Sequence, residues 1–196
     1  MVNSLSNVSR KFILRARVIE QKFLSSPDVE SACYCILSIY AEWERFVENL
    51  VLVSAVRRPV MENGARLTLA VEVATRGSFD IALCWAAAPR NGKRPKIIYW
   101  GDSRRVIPIV MQLGLANGAS IVGAIGASNS CADDLRKLRN FVAHRNIDTW
   151  GSAKQVFSAR SVEDVPFWLR EIQPGGSQRF SVWCRNLELI SIAATR

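Results

Sequence analysis

The sequence predicts an all-α protein: one mainly helical domain spanning residues 1–196. Three observations carry this expectation. Apolar residues recur at helical spacing through the stretches 7–24, 27–56 and 130–146. Helix start and stop signals punctuate them, with Ser26-Pro27-Asp28 opening one and Arg57-Arg58-Pro59 closing it. Finally, 196 residues, 49% of them apolar, suffice for one sizeable core, and no repeat, low-complexity tract or interdomain linker divides them.

In chain order, the first helix is expected from about Asn7 to Leu24. Phe12, Val18, Ile19 and Phe23 form its apolar side, and Arg10, Lys11, Arg15, Arg17 and Lys22 its basic side. Ser26 suits the N-cap of a second helix, Pro27 its first position, and Asp28 and Glu30 its first turn. That helix is expected to run to Val56. Ile36, Tyr40, Trp43, Val47 and Leu50 lie on one stripe, widened by Ile39, Phe46 and Val53. So wide a stripe implies a central helix packed on more than one neighbour.

The middle of the chain carries two competing signals. Leu67, Leu69, Val71 and Val73 alternate with smaller or polar residues, as do Phe79, Ile81, Leu83 and Trp85, which reads as a short hairpin around Arg76-Gly77-Ser78. Ala70, Ala74, Ala82 and Ala86–Ala88 are good helix formers and favour two helices instead. A basic loop, 89–95, and a short apolar stretch, 96–101, follow. Asp102 or Ser103 then suits the cap of a helix over Arg104–Leu115. Val106–Ala132 contains no charged residue, a length that would span a bilayer, but Pro108, Gln112, Asn117, Ser120 and four glycines interrupt it. Two short buried helices broken near 115–118 are expected there, with no membrane span.

Residues 130–146 form the best-defined amphipathic helix. Ser130 is placed as its cap, Asp133 and Asp134 suit its positive N-terminus, and Leu135, Leu138, Phe141 and Val142 form its apolar arc. Trp150-Gly151-Ser152 is expected to end this region. Ser161-Val162-Glu163-Asp164 opens a further helix through Leu169, and Pro174-Gly175-Gly176-Ser177 is the clearest turn. A last helix over Arg179–Ala194 presents Phe180, Trp183, Leu187 and Ile190.

Charge narrows the function. The chain carries 26 basic residues, 20 of them arginine, against 17 acidic ones, for a net charge of +9. Arginine-rich basic domains favour phosphate-bearing partners, nucleic acid first. The five cysteines, Cys33, Cys35, Cys84, Cys131 and Cys184, form no C-x-x-C pair, and a single histidine is available to join them. A zinc site and a disulfide framework are therefore not expected, and free thiols fit a reducing cytoplasm. Arg10, Lys11, Arg15 and Arg17 interrupt what would be a secretory signal. The glycine pairs lack the Lys-Ser/Thr of a phosphate loop.

The one histidine, His144, stands five residues after Arg139 on the 130–146 helix. Histidine exchanges protons near neutral pH, arginine holds phosphate and stabilises charge developing on it, and Asn140 can orient either. With RNA, a neighbouring 2′-hydroxyl serves as nucleophile, and no metal is required. On an ideal helix Arg139 and His144 diverge by about 140°. A long arginine side chain or a helix end can bring them closer, and a second copy of the helix across a two-fold axis would do so more readily. Glu42 or Glu44 on the second helix is a candidate to face Arg139.

Leu138-Arg139-Asn140-Phe141-Val142-Ala143-His144-Arg145 closely resembles the R-N-x-x-x-H signature of the HEPN superfamily. The long preceding helix, with Ala41-Glu42-Trp43-Glu44-Arg45-Phe46, is similar to the acidic and aromatic second helix of many such domains. The resemblance implies a HEPN-like helical bundle with residues 59–101 as an insertion. It further implies a homodimer with facing motifs and metal-independent endoribonuclease activity in a toxin–antitoxin or antiviral defence system. Arg139, His144 and Asn140 would be the catalytic residues, Arg136, Lys137, Arg145 and Asn146 would bind RNA, and no cofactor would be used. An antitoxin protein and a cytoplasmic location follow from the same resemblance. The alternative is a non-catalytic HEPN-like module that binds RNA, nucleotide or protein.

Overall fold

The structure, a computed structural model, describes residues 5–26, 28–56, 82–83, 86–87, 98–127, 129–157 and 161–196. Among these the fold is all-α, with eight α-helices and no sheet. They are α1 (Leu5–Ser25), α2 (Val29–Val56), α3 (Ser103–Leu113), α4 (Gly118–Ala127), α5 (Asn129–His144), α6 (Ile147–Ala153), α7 (Val165–Arg170) and α8 (Arg179–Thr195). One 3₁₀ turn, Val162–Asp164, leads into α7.

Helix α1 buries Leu5, Ser9, Phe12, Ala16, Ile19 and Phe23, a three-four spacing that lays one face on α2 and α8. Val18, expected on that face, points to solvent at 69% exposure. Ser9 and Ser191 share a buried hydrogen bond of 3.0 Å, which satisfies both hydroxyls where α1 crosses α8. Helix α2 begins two residues later than expected. Asp28, not Ser26, caps it: one carboxylate oxygen accepts from the Ser31 N–H at 2.8 Å, and the other accepts from the hydroxyls of Ser26 and Ser31. These hydrogen bonds, the Ser31 N–H first, lower the Asp28 carboxyl to about 2.

The wide stripe makes α2 the central element. Ile36, Ile39, Tyr40, Trp43, Phe46, Val47, Leu50 and Val53 are all buried, and the helix packs on α1, α5, α7 and α8. The uncharged stretch 106–132 is broken where expected. Gly114 adopts the left-handed φ of 60° that ends α3, and α4 starts at Gly118. Asn117 donates to Ser54 Oγ at 3.0 Å and pins this break to α2. No helix among the described residues is long and apolar enough to cross a membrane.

Helix α5 starts at Asn129, so Ser130 lies within it rather than ahead of it. Leu135, Leu138, Phe141 and Val142 are buried as their spacing requires. The helix ends at His144, two residues short of the expected limit, because Arg145 turns to a left-handed φ of 49°. The residues expected to end the region instead form α6. Phe141, Trp150, Phe157, Trp168 and Trp183 make a continuous chain of ring contacts, 5.2 to 6.4 Å between centroids, that ties α5 to α6, α7 and α8. Gly175 and Gly176, both at positive φ, turn the chain between α7 and α8. The contest between hairpin and helices over 67–85 falls mostly outside the described residues. The described residues 82–83 and 86–87 are helical, in line with their alanines.

Candidate functional site

One cleft, with a volume of about 540 Å³, runs between α2, the start of α3 and the C-terminal half of α5. Arg136, Arg139, Asn140 and His144 line it from α5, Tyr40 and Glu44 from α2, and Asp102 and Arg105 from the entry to α3. Arg136, Asn140 and His144 are four residues apart, so each successive side chain steps only about 40° around the helix and all three form one ridge. Arg139 flanks that ridge. Its Nη1 donates to Asn140 Oδ1 at 3.1 Å, and its guanidinium lies over the Tyr40 ring at 5.7 Å. The divergence expected of an ideal helix is thus bridged by the length of the arginine and by the Asn140 amide. A single chain brings Arg139 and His144 to one cleft.

The cations differ in how firmly they are held. Arg136 is tied to Asp133 through Nη2 at 2.6 Å, and Lys137 to the same carboxylate at 3.2 Å. Burial opposes ionisation of Asp133, but Arg136 and Lys137 more than offset it and lower its carboxyl. Arg105 lies 3.7 Å from Asp102 and 4.7 Å from the centre of the half-exposed Tyr99 ring. Arg139, in contrast, makes no ion pair among the described residues. It is partly buried, directed into the cleft, and able to offer a forked donor to an anion.

Facing it, Glu44 and Tyr40 are a turn apart on α2. Glu44 Oε1 accepts a long hydrogen bond, 3.4 Å, from the Gly101 N–H. Burial pushes the Glu44 carboxyl up, with the Gly101 N–H and Arg139 pulling against it and Glu48 adding to it. Burial likewise raises the Tyr40 phenol, and Glu44 raises it further, so its O–H remains a donor at neutral pH. Of the two glutamates named from sequence, Glu42 turns the other way and pairs with Arg15 at 2.8 Å and with Arg45.

The remaining expected residues separate from the cleft. Lys137 points to Asp133 and Asp134. Arg145 and Asn146 line a shallow depression with Phe141, Ile147 and Trp150. Asn146 caps α6, accepting from the Thr149 N–H at 2.9 Å while its own N–H donates to Thr149 Oγ1. Sequence reasoning missed Tyr40, Tyr99, Asp102, Arg105 and Thr149 as cleft residues. Tyr40 sat within an apolar stripe, and Asp102 was seen only as a helix cap. A stray polar hydroxyl four residues before Glu44 was the available signal for the first.

Burial holds the described thiols protonated: Cys35 is pushed up to about 11 and Cys131 to about 12, with Cys33 and Cys184 also raised. Among the described residues, no group of three or more His, Cys, Asp or Glu is arranged to hold a metal ion. Comparison with protein-family models, with curated proteins and with solved structures found no match.

Proposed function

We propose that this protein is a HEPN-like, metal-independent endoribonuclease of a prokaryotic toxin–antitoxin or antiviral defence system. One observation carries the proposal: Arg139, Asn140 and His144, the residues of the R-N-x-x-x-H motif, line a single cleft. In that cleft an RNA phosphodiester is held by the Arg139 guanidinium, which bears no competing carboxylate among the described residues. The 2′-hydroxyl next to the phosphate attacks phosphorus, the bond to the 5′-oxygen breaks, and the products are a 2′,3′-cyclic phosphate and a 5′-hydroxyl. Arg139 stabilises charge on the non-bridging oxygens, and His144 transfers a proton as acid or base. Asn140 orients Arg139 through their 3.1 Å hydrogen bond. The resemblance supplies the remaining partners: a second copy of the chain, a cognate antitoxin and a cytoplasmic setting.

The test is cleavage of RNA by the purified protein in excess chelator. Arg139→Ala and His144→Ala are each expected to lower the rate by about 10²-fold or more, the usual worth of a phosphate clamp or a proton-transfer group. Unchanged cleavage in both variants rejects the site. RNA binding without cleavage by the wild type favours the non-catalytic module.

A further inference from the structure

Cleavage by 2′-hydroxyl attack needs two proton transfers, one from the attacking oxygen and one to the departing oxygen, whereas the chain has one histidine. We propose that Glu44 is the second proton-transfer group: its carboxylate takes the 2′-hydroxyl proton, and the His144 imidazolium protonates the leaving 5′-oxygen. This inference rests on the ribonuclease reading of the cleft and assigns within it a role that the motif leaves open.

Three features of the cleft support it. Glu44 lines the same cleft as Arg139, Asn140 and His144, from the opposing helix, so the two proton-transfer groups stand on different helices of one cleft. No arginine or lysine pairs with it among the described residues, in contrast to Glu42, Asp102 and Asp133, so its oxygens are not occupied by a cation. Its half-buried position raises the carboxyl, making it a stronger base than an exposed glutamate. The charged and titratable groups around it are Tyr40 and Glu48 on α2, Tyr99, Asp102 and Arg105 at the entry to α3, and Arg136, Arg139 and His144 on α5. Of these, Arg139 opposes the rise and Glu48 adds to it.

The protons and bonds balance. As the 2′-oxygen bonds to phosphorus its proton passes to Glu44. As the bond from phosphorus to the 5′-oxygen breaks, that oxygen takes a proton from His144. Glu44 then returns its proton to water, and His144 regains one. The rate is therefore expected to fall at low pH as Glu44 becomes protonated, at a pH above that of an exposed glutamate.

The experiment is the pH–rate profile of the full chain on a labelled single-stranded RNA oligonucleotide in chelator. Glu44→Gln is expected to lower kcat by about 10²- to 10⁴-fold and to abolish the acidic limb. His144→Ala is expected to lower the rate and retain the acidic limb. Glu44→Asp keeps a carboxylate and is expected to keep the acidic limb at reduced rate, and it carries the test should the glutamine variant fail to melt cooperatively. A glutamine variant with the wild-type rate and acidic limb overturns the assignment and leaves the ribonuclease reading standing, as does an aspartate variant lacking an acidic limb. A wild type that cuts no RNA overturns both.

Discussion

Gly101 is the residue on which the cleft's acidic wall is seated. A methyl group built there meets the Tyr40 ring and comes within 2.8 Å of Glu44 Cγ, closer than real side chains pack. The absence of a side chain lets the backbone N–H reach the Glu44 carboxylate. Gly101→Ala is therefore expected to push Tyr40 and Glu44 out of place, at a cost of about 1–3 kcal/mol, the range for overpacking. Urea unfolding measures the loss, and cleavage assays read the displacement of the two side chains. A variant with wild-type stability and activity would mean that the loop yields freely. Nothing in the sequence marked Gly101, because its role comes from a contact across 57 positions of chain. Glu44 was half legible, as one of two glutamates on α2. What decided between them was the face each occupies: Glu42 meets Arg15 of α1, and Glu44 meets α5.

At the level of elements, periodic apolar residues made the long helices legible, and local geometry set their ends. Helix α5 stops at His144 because Arg145 takes a left-handed φ and Asn146 already serves the next helix. Asn146, two residues after the histidine, was expected to bind RNA. Its side chain is instead committed to the Thr149 N–H, in a reciprocal capping box. Helix α6 went unseen because seven residues containing a glycine carry too little periodicity to register. Asn146→Ala is expected to cost about 1 kcal/mol through loss of the cap, seen as a lower unfolding midpoint. Thr149 lines the cleft, so the same variant is expected to raise KM more than it lowers kcat. Asn146→Ser, which preserves a capping oxygen, should restore most of both. If it does not, Asn146 contributes something other than a cap, and the RNA contact first expected of it is the next candidate.

The whole molecule bears on how many chains one site requires. On an ideal helix the two motif residues point about 140° apart, which left either a reaching arginine or a partner chain to complete the site. In the folded chain Arg139 reaches across to Asn140 and lies over Tyr40, so residues of α2 and α5 line one cleft, and in the proposed reaction one chain would supply clamp, acid and base. Sequence allowed this arrangement without choosing it, because helix spacing fixes where a Cβ points, not where a long guanidinium comes to rest. Mixing two inactive variants tests the arrangement. In a dimer of Arg139→Ala with His144→Ala, a site built from one chain is broken in both protomers, one lacking its clamp and the other its histidine. A site that took arginine from one chain and histidine from the other would leave one of the two clefts intact. Refolding the variants together at equal amounts is therefore expected to restore no RNA cleavage. Activity approaching half the wild-type value in the heterodimer would reveal clefts shared between chains, because only there does one wild-type arginine meet one wild-type histidine.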